Sequence, residues 1–304
     1  MITVPNLACD ALDAFLASHM KHRYGCSGAR LTEIVPSIAR LALGCIGNSD
    51  ALFHDVEHTL LVTLAGHEIL QGRAVHAQVS AEEYAHFIIS CLMHDIGFVR
   101  GILQEDGKDG YVVDTAGRKV TLPRGASDAA LFPYHVDRSK LFVMQCIKPL
   151  GAIDEQRVAR AVEYTRFPTV ISIKAECDEV DMLVRAADFI GQLGDPNYIA
   201  KANALYYEFE EVGLNRDFGY TSPADVVTFF PQFYWNSVYP HIQTAIGYLN
   251  ATPNGRQWIA NLQNNVFRAE SENPLSGPQI NVANAKRFRT VPGDSHRPRE
   301  SLSL

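Results

Sequence analysis

The sequence predicts an all-α fold, with one helical domain over residues 1–270, a small β-hairpin within it, and a tail over 271–304. Apolar residues recur at intervals of three and four through most of the first 270 residues, as they do in amphipathic helices. One short segment is instead rich in β-branched residues around a turn. The last segment is rich in proline, serine, asparagine and arginine, which predicts an extended or disordered tail.

The composition is that of a globular protein. Of 304 residues, 47% are apolar and 20% are charged, which excludes disordered and fibrous proteins. The net charge of −7 argues against a nucleic-acid polymer as partner. No apolar run approaches the roughly 18 residues of a membrane span, and we expect neither a membrane association nor a signal peptide. The six cysteines form no CxxC pair, so we expect reduced thiols in a cytoplasmic protein.

The first part of the domain is predicted to be helical throughout. Helical spacing predicts the first three helices at 10–22, 31–46 and 52–71. Ser80, with Glu83 three residues later, predicts the start of a fourth helix that runs to about residue 94. The end of this helix, FIISCLM, is so apolar that we expect it to be buried.

The second part begins with a change of pattern. Residues 110–122 contain two short β-rich runs around a Thr-Ala-Gly turn, which predicts a hairpin inserted into the helical chain. Residues 126–133 predict a loop or a short helix. Helical patterns then return at 135–148, 154–166, 178–193, 197–212, 232–250 and 256–269.

Histidines and carboxylates cluster at three places along these helices. His54 and His58 are four residues apart, which would place both rings on one face of a helix. His94 and Asp95 are adjacent and can share an ion only near an irregular helix end, which Gly97 offers. Asp188 lies in an apolar helical stretch, where a carboxylate is costly unless it is paired or binds a metal.

His58, His94, Asp95 and Asp188 together form a mixed nitrogen and oxygen ligand set. This chemistry suits a divalent transition metal (Zn, Fe, Mn, Ni or Co), with Mg as a candidate at a second, carboxylate-based site. A metal with open coordination positions lowers the pKa of a bound water. Each cluster alone has a structural alternative, since a His-Asp pair can simply be hydrogen-bonded and Asp188 can pair with Arg185 three residues earlier.

The order His58, His94-Asp95, Asp188 resembles the HD-domain metal-dependent phosphohydrolase superfamily over roughly residues 30–195. The phrase FHDVEHTLLV is similar to the YHN-x-x-H phrase of class I cyclic-nucleotide phosphodiesterases, and ADFIGQ is similar to the helix that supplies the last metal aspartate. The resemblance implies a helical bundle with the metal at its centre, held by these four residues. It further implies that Asp95 can bridge to a second ion and that His54 protonates the leaving oxygen.

Two positions depart from the phosphodiesterase pattern. Asp55 stands where those enzymes have asparagine, and Phe98 stands where they have a further histidine near the second metal. Their long nucleotide pocket is not recognisable, so we do not transfer cyclic-nucleotide specificity. The resemblance leaves a one-metal and a two-metal site open, and it suggests His135 as a residue that binds a second metal or the phosphate.

A phosphate substrate also needs cationic partners. Arg138 is our first candidate for binding the substrate and Arg124 our second, with surface salt bridges as the alternative for each. We interpret Glu208, Glu210 and Glu211 as a solvated acidic face. The aromatic stretch at 228–240 is more typical of helix packing than of base stacking.

These patterns favour a hydrolase in which a metal-activated water cleaves a small phosphomonoester or phosphodiester, with a nucleotide among the candidates. His54 and Asp95 are our candidate catalytic residues. His54 would be the acid, and Asp95 would also be a metal ligand. Two alternatives stay open: a di-iron oxygenase, which requires more histidine ligands, and a non-catalytic metal-binding regulatory module. The sequence also leaves a homo-oligomer open.

Overall fold

The computed structural model describes residues 3–25, 28–167 and 179–272. The structure is mostly helical, with one small two-strand antiparallel sheet, as the sequence predicts. The predicted tail lies outside the described residues from 273 onwards. Among the described residues, no helix combines the length and the apolar character that crossing a membrane requires.

The helices and strands of the described ranges follow one another along the chain. The α-helices are α1 (Val4–Tyr24), α2 (Ala29–Ile46), α3 (Val56–Arg73), α4 (Ala81–Met93), α5 (His135–Cys146), α6 (Glu155–Glu163), α7 (Glu179–Leu193), α8 (Tyr198–Val212), α9 (Leu214–Phe218), α10 (Pro223–Phe233), α11 (Tyr239–Leu249) and α12 (Pro253–Glu272). Short 3-10 helices span Ile96–Phe98, Asp128–Tyr134 and Lys148–Leu150, and a π-helical turn spans Tyr234–Val238. The strands are β1 (Tyr111–Val112) and β2 (Lys119–Val120).

Helix α4 lies at the centre of the fold. The Ser80 side chain accepts a hydrogen bond from the Glu83 amide, so the predicted start of this helix is confirmed. Every residue from Tyr84 to Met93 is buried. A helix that is apolar on all sides is stable only in such a position, and α2, α3, α6 and α7 pack around it.

Helices α3 and α7 pack against each other with their backbones in close approach. A Cβ atom on Gly191 would lie 2.6 Å from the Cα atom of Val62, closer than real Cβ contacts come. Glycine at this position therefore lets the two helices touch. Val62 lies one turn beyond His58 and Gly191 one turn beyond Asp188, so this contact also brings those two side chains together.

The predicted hairpin is confirmed. Strands β1 and β2 pair antiparallel, with Tyr111 opposite Val120 and Val112 opposite Lys119. In the connecting turn, the Asp114 carboxylate accepts hydrogen bonds from the amides of Ala116 and Arg118.

Several predicted helix boundaries are wrong. The first helix, predicted over 10–22, spans Val4–Tyr24. The helix predicted over 52–71 begins at Val56, because Asp55 is its N-cap and accepts a hydrogen bond from the His58 amide (2.9 Å). The helix predicted over 232–250 is replaced by α10, the π-helical turn and α11. Pro231 lies inside α10 rather than at a boundary, and the wider π-helical turn follows it directly.

Candidate metal centre

The four predicted ligands converge although they lie far apart along the chain. His58 lies in the first turn of α3, His94 and Asp95 directly follow α4, and Asp188 lies within α7. The Nε2 atom of His58 lies 3.2 Å from His94 Nε2, 3.1 Å from Asp95 Oδ2 and 3.4 Å from Asp188 Oδ1. The Nε2 atom of His94 lies 3.0 Å from Asp95 Oδ2 and 3.6 Å from Asp188 Oδ1.

These distances fit one shared cation. Ligand atoms about 2.0–2.3 Å from a tetrahedral ion lie about 3.3–3.8 Å from one another. The Asp95 Oδ2 atom is buried and has no hydrogen-bond partner among the described residues, although two imidazoles adjoin it. A buried carboxylate oxygen without a donor is costly. The cluster of His58, His94 and Asp188 could therefore hold a metal ion, and Asp95 adjoins it with a free oxygen.

The hydrogen bonds around His94 direct its lone pair into the cluster. Its Nδ1 atom lies 2.8 Å from the carbonyl oxygen of Cys91, which places the ring proton on Nδ1. The lone pair of Nε2 is then free to bind a metal. The ring is fully buried and its orientation is fixed.

The charges in the cluster compensate one another. Burial disfavours the charged form of every member, but Asp95 and Asp188 raise the pKa of His94 well above its usual value. Burial likewise raises the pKa of Asp188, while the adjacent imidazoles of His58 and His94 lower it to about 2. Both carboxylates therefore stay ionised at neutral pH and supply the negative charge that a divalent cation requires.

The turn after α4 explains how adjacent residues reach one point. The helix ends at Met93, and the backbone of Asp95 (φ −108°, ψ 3°) has left the helical conformation. A Cβ atom on Gly97 would lie 2.0 Å from the His135 carbonyl oxygen, so glycine lets α5 start against this turn. The Ser139 hydroxyl accepts from the Gly97 amide (2.9 Å) and donates to the His94 carbonyl (2.8 Å). The irregular helix end predicted at Gly97 is confirmed.

His54 lies beside the cluster, but not for the predicted reason. It precedes the N-cap of α3, so it does not share a helix face with His58. Its ring nevertheless lies near the His58 ring, with the ring centroids 5.3 Å apart. The bends before the helix turn the side chain back toward the cluster, which spacing on a helix cannot describe.

Glu208 holds His54 in place. Its Oε2 atom lies 2.5 Å from His54 Nδ1, and its Oε1 atom accepts hydrogen bonds from the amides of Phe53 (2.6 Å) and His54 (3.2 Å). The prediction of a solvated Glu208 is wrong, because its side chain is only 1% exposed. The available signal was its position three residues after Leu205, on the buried face of α8.

The Glu208 carboxylate sets the charge of His54. Burial alone would lower the pKa of the imidazole, but Glu208, with smaller contributions from Asp95 and Asp188, raises it to about 9. A cation bound to Asp95 and Asp188 would offset the contribution of these two carboxylates to the pKa of His54. The contribution of Glu208 would persist, and it favours the protonated imidazolium form of His54.

His135 lies on the other side of Asp95. Its Nε2 atom is 3.6 Å from Asp95 Oδ1, and its Nδ1 atom is 2.6 Å from the Phe132 carbonyl oxygen. The Phe98 ring stacks on both His54 and His135, with centroids 4.6 Å and 4.4 Å apart. Phe98 thus orients the two histidines on either side of Asp95.

The two arginines predicted to bind substrate lie elsewhere. Arg138 is fully buried, and its guanidinium donates to Asp106 and to the carbonyl oxygens of Gly97, Val99 and Val112. The structure thus corrects the role predicted for Arg138, because a guanidinium with these partners ties the hairpin to α5 and leaves no donor for a substrate. Arg124 is exposed in a turn and does not line the cavity beside the cluster.

A cavity of about 410 Å³ opens from the cluster. His54, Asp95, His135 and Asp188 lie in its wall. Aromatic rings form much of the rest, including Phe167, Tyr198, Phe218, Tyr220, Phe230 and Phe233. The aromatic stretch at 228–240, predicted to pack between helices, also lines the cavity. Tyr234 and Val238 are buried, while Phe230 and Phe233 face the cavity.

Comparison with known proteins bears on the chain as a whole. A family model described as Npun_R2479-like matches residues 3–272. No curated protein and no solved structure matches the chain significantly. The match spans every helix described above, and it therefore includes all residues of the candidate metal centre.

Proposed function

The chain belongs to the Npun_R2479-like family, and we propose that it is a metal-dependent phosphohydrolase of the HD-domain type. It would cleave a small phosphomonoester or phosphodiester. The observation that carries the proposal is the convergence of His58, His94, Asp95 and Asp188 at the end of a cavity, with the imidazole nitrogens 3.0–3.6 Å from the carboxylate oxygens. The order of these ligands along the chain resembles that of the HD-domain superfamily.

The ligand set suits a divalent transition metal (Zn, Fe, Mn, Ni or Co). Such a cation, when bound, supplies a Lewis acid that lowers the pKa of water and neutralises charge on the phosphoryl group. The protein contributes two ionised carboxylates, the imidazole of His94 in a fixed orientation, the imidazole of His58, and a cavity that leads to the cluster.

His54 is in position to protonate the leaving oxygen. Its Nδ1 atom is bound to Glu208, so its Nε2 atom is the nitrogen that can donate a proton to the substrate. Cleavage of a phosphoester expels an alkoxide, which needs that proton. His54 lines the cavity together with Asp95 and Asp188, so the acid and the cation would act on the same phosphoryl group.

His135 is a candidate ligand for a second ion beside Asp95. Its Nε2 atom adjoins Asp95 Oδ1, while Asp95 Oδ2 faces His58 and His94. Asp95 and His135 would therefore hold a second ion, which would be Mg or another divalent cation. The di-iron oxygenase alternative would use this second position as well, and it predicts two irons and consumption of oxygen.

The test combines metal analysis with a panel of phosphomonoesters and phosphodiesters. We expect the purified protein to bind a divalent metal and to hydrolyse at least one class of ester. His94→Ala should lose both metal and activity while it keeps its helical circular dichroism. His22→Ala, which makes the same substitution at an exposed position in α1, should keep both.

Each other outcome has a defined meaning. Hydrolysis that His94→Ala leaves unchanged would disprove the proposed site. A metal-loaded protein that cleaves no ester would favour the regulatory module, and oxygen uptake by a protein with two irons would favour the oxygenase.

A further inference from the structure

The cavity beside the metal centre is small and largely apolar. Its volume of about 410 Å³ is near the lower end of the roughly 300–1,000 Å³ typical of small-molecule sites. The ring of Phe167 contacts those of Phe218 and Phe233, with centroids 6.2 Å and 5.8 Å away. Tyr198 and Phe230 form a second pair at 4.7 Å. Such walls favour a flat, apolar ligand group, because aromatic rings attract one another beyond the area that they bury.

Arg185 lines this cavity and has a guanidinium donor that is not used in a hydrogen bond within the described ranges. Its side chain is only 7% exposed, and its Nε atom donates to the Tyr164 carbonyl oxygen (2.5 Å). Its Nη2 atom is buried and has no hydrogen-bond partner among the described residues. A buried guanidinium nitrogen without an acceptor is costly, and an anionic ligand would remove that cost.

The position of Arg185 relates this unused donor to the metal centre. Arg185 and Asp188 lie three residues apart on α7, and residues at this spacing are neighbours on a helix surface. Both line the cavity. A phosphoryl group at the cluster would therefore lie within reach of the guanidinium, which is suited to bind two of its oxygens.

The remaining arginine of the cavity wall is already engaged. Arg166 donates to Glu163 and to Asp137, at distances of 2.5–2.9 Å. Among the arginines and lysines of the described cavity wall, Arg185 alone has an unpartnered buried donor. A polyphosphate carries several negative charges and needs several cations. Besides His54 and the candidate metal site, the described part of the wall offers one guanidinium with a free buried donor, which suits a single phosphate.

We propose that the substrate is a single-phosphate ester of an apolar, ring-bearing alcohol, with Arg185 binding the phosphoryl oxygens and the aromatic rings holding the alcohol. This inference rests on the proposed function, since it names the substrate class of the same site. It excludes nucleoside triphosphates and small polar phosphates as preferred substrates.

The first experiment measures turnover on three phosphorylated compounds. These are 1-naphthylmethyl phosphate, glycerol phosphate, which also releases an alkoxide but has no ring, and a nucleoside triphosphate, which carries three phosphates. We expect kcat/KM for 1-naphthylmethyl phosphate to exceed both others at least about tenfold, as burial of an aromatic ring favours it. Arg185→Gln should raise KM about ten- to hundredfold, the usual cost of losing a charge-assisted hydrogen bond. Arg160→Gln, at an exposed position in α6, is the matched control.

The second experiment measures binding without turnover. The ligand is 1-naphthylmethylphosphonate, whose C–P bond the protein cannot hydrolyse, with methylphosphonate for comparison. Calorimetry on the metal-loaded protein should show preference for the naphthyl compound, and Arg185→Gln should weaken its binding about tenfold or more. Phe233→Leu should reduce the preference while it leaves methylphosphonate binding unchanged.

The two experiments separate failure of the inference from failure of the proposed function. If no ester is cleaved but the naphthyl compound binds through Arg185, the hydrolase proposal fails and the ligand class stands. The inference is overturned if the protein prefers glycerol phosphate or the triphosphate. It is equally overturned if Arg185→Gln binds the naphthyl compound as tightly as Arg160→Gln does.

Discussion

At the scale of single residues, Glu208 affects both the charge and the position of the buried His54 ring. A buried imidazole is normally neutral, yet Glu208 raises the pKa of His54 to about 9. Glu208 also accepts two backbone hydrogen bonds from the segment that carries His54, so it fixes the position of the ring as well as its charge. An acid for a leaving alkoxide needs both properties.

Glu208→Gln should therefore narrow the pH range of activity. An acid must be protonated, so activity falls as pH rises through its pKa. With a cation that offsets Asp95 and Asp188, we expect this limb below about pH 9 but above the ordinary range of a histidine, because Glu208 still raises the pKa. Without Glu208 the pKa of His54 should fall to the ordinary 6.5 or below, because burial disfavours the charged form. At pH 8 only about 3% of such an imidazole is protonated, so we expect an approximately 30-fold loss of kcat there.

The measurement is a pH profile of kcat for the native protein, Glu208→Gln and Glu211→Gln. Glu211 lies on the same helix and binds Ser127 instead, so its variant should keep the native profile. An alkaline limb that Glu208→Gln leaves in place would show that His54 is not the acid.

At the scale of structural elements, Arg138 joins the hairpin to α5 and to the turn that follows α4. It forms a buried ion pair with Asp106, with N–O distance 2.9 Å and both side chains fully buried. It also donates to Val112 in β1 and to Gly97 in the turn that carries Asp95. The hairpin insertion thus stabilises the segment that positions the metal ligands.

Arg138→Met should destabilise the protein by about 3–5 kcal/mol, because it leaves Asp106 buried without its partner. Urea denaturation measures this loss. Replacing both residues, as Arg138→Met with Asp106→Leu, should recover part of it, since an apolar pair leaves no unpaired charge. A raised KM at unchanged stability would instead restore the substrate-binding role predicted for Arg138.

At the scale of the whole molecule, the candidate metal centre lies where α3, α4 and α7 meet. These helices pack on one another at the middle of the core. Two carboxylates in this interior lie within 3.6 Å of two imidazoles. A bound cation would therefore connect three central helices and stabilise the entire fold.

Removal of the metal should lower the melting temperature. A cation present at 100 times its Kd stabilises the folded state by about 2.7 kcal/mol. For a chain of this size, each kcal/mol corresponds to roughly 2–4 °C, so we expect chelation to lower Tm by about 5–10 °C. Differential scanning calorimetry with and without chelator measures the shift, and His94→Ala should show none. A Tm that chelation leaves unchanged would contradict a metal bound in the core.

The helical class and the hairpin follow from the sequence, which also points to the four residues of the candidate metal cluster. Helices and turns follow from the spacing of apolar residues and from caps, which are local. His58, His94, Asp95 and Asp188 stood out because polar groups in apolar helices need partners. Three features became evident only in the tertiary structure: the buried hydrogen bonds of Arg138, the pairing of His54 with Glu208, and the Nη2 atom of Arg185, which is unpartnered in the described part of the chain. His54 and Glu208 are 154 residues apart, and such contacts depend on how helices pack, which local spacing does not encode.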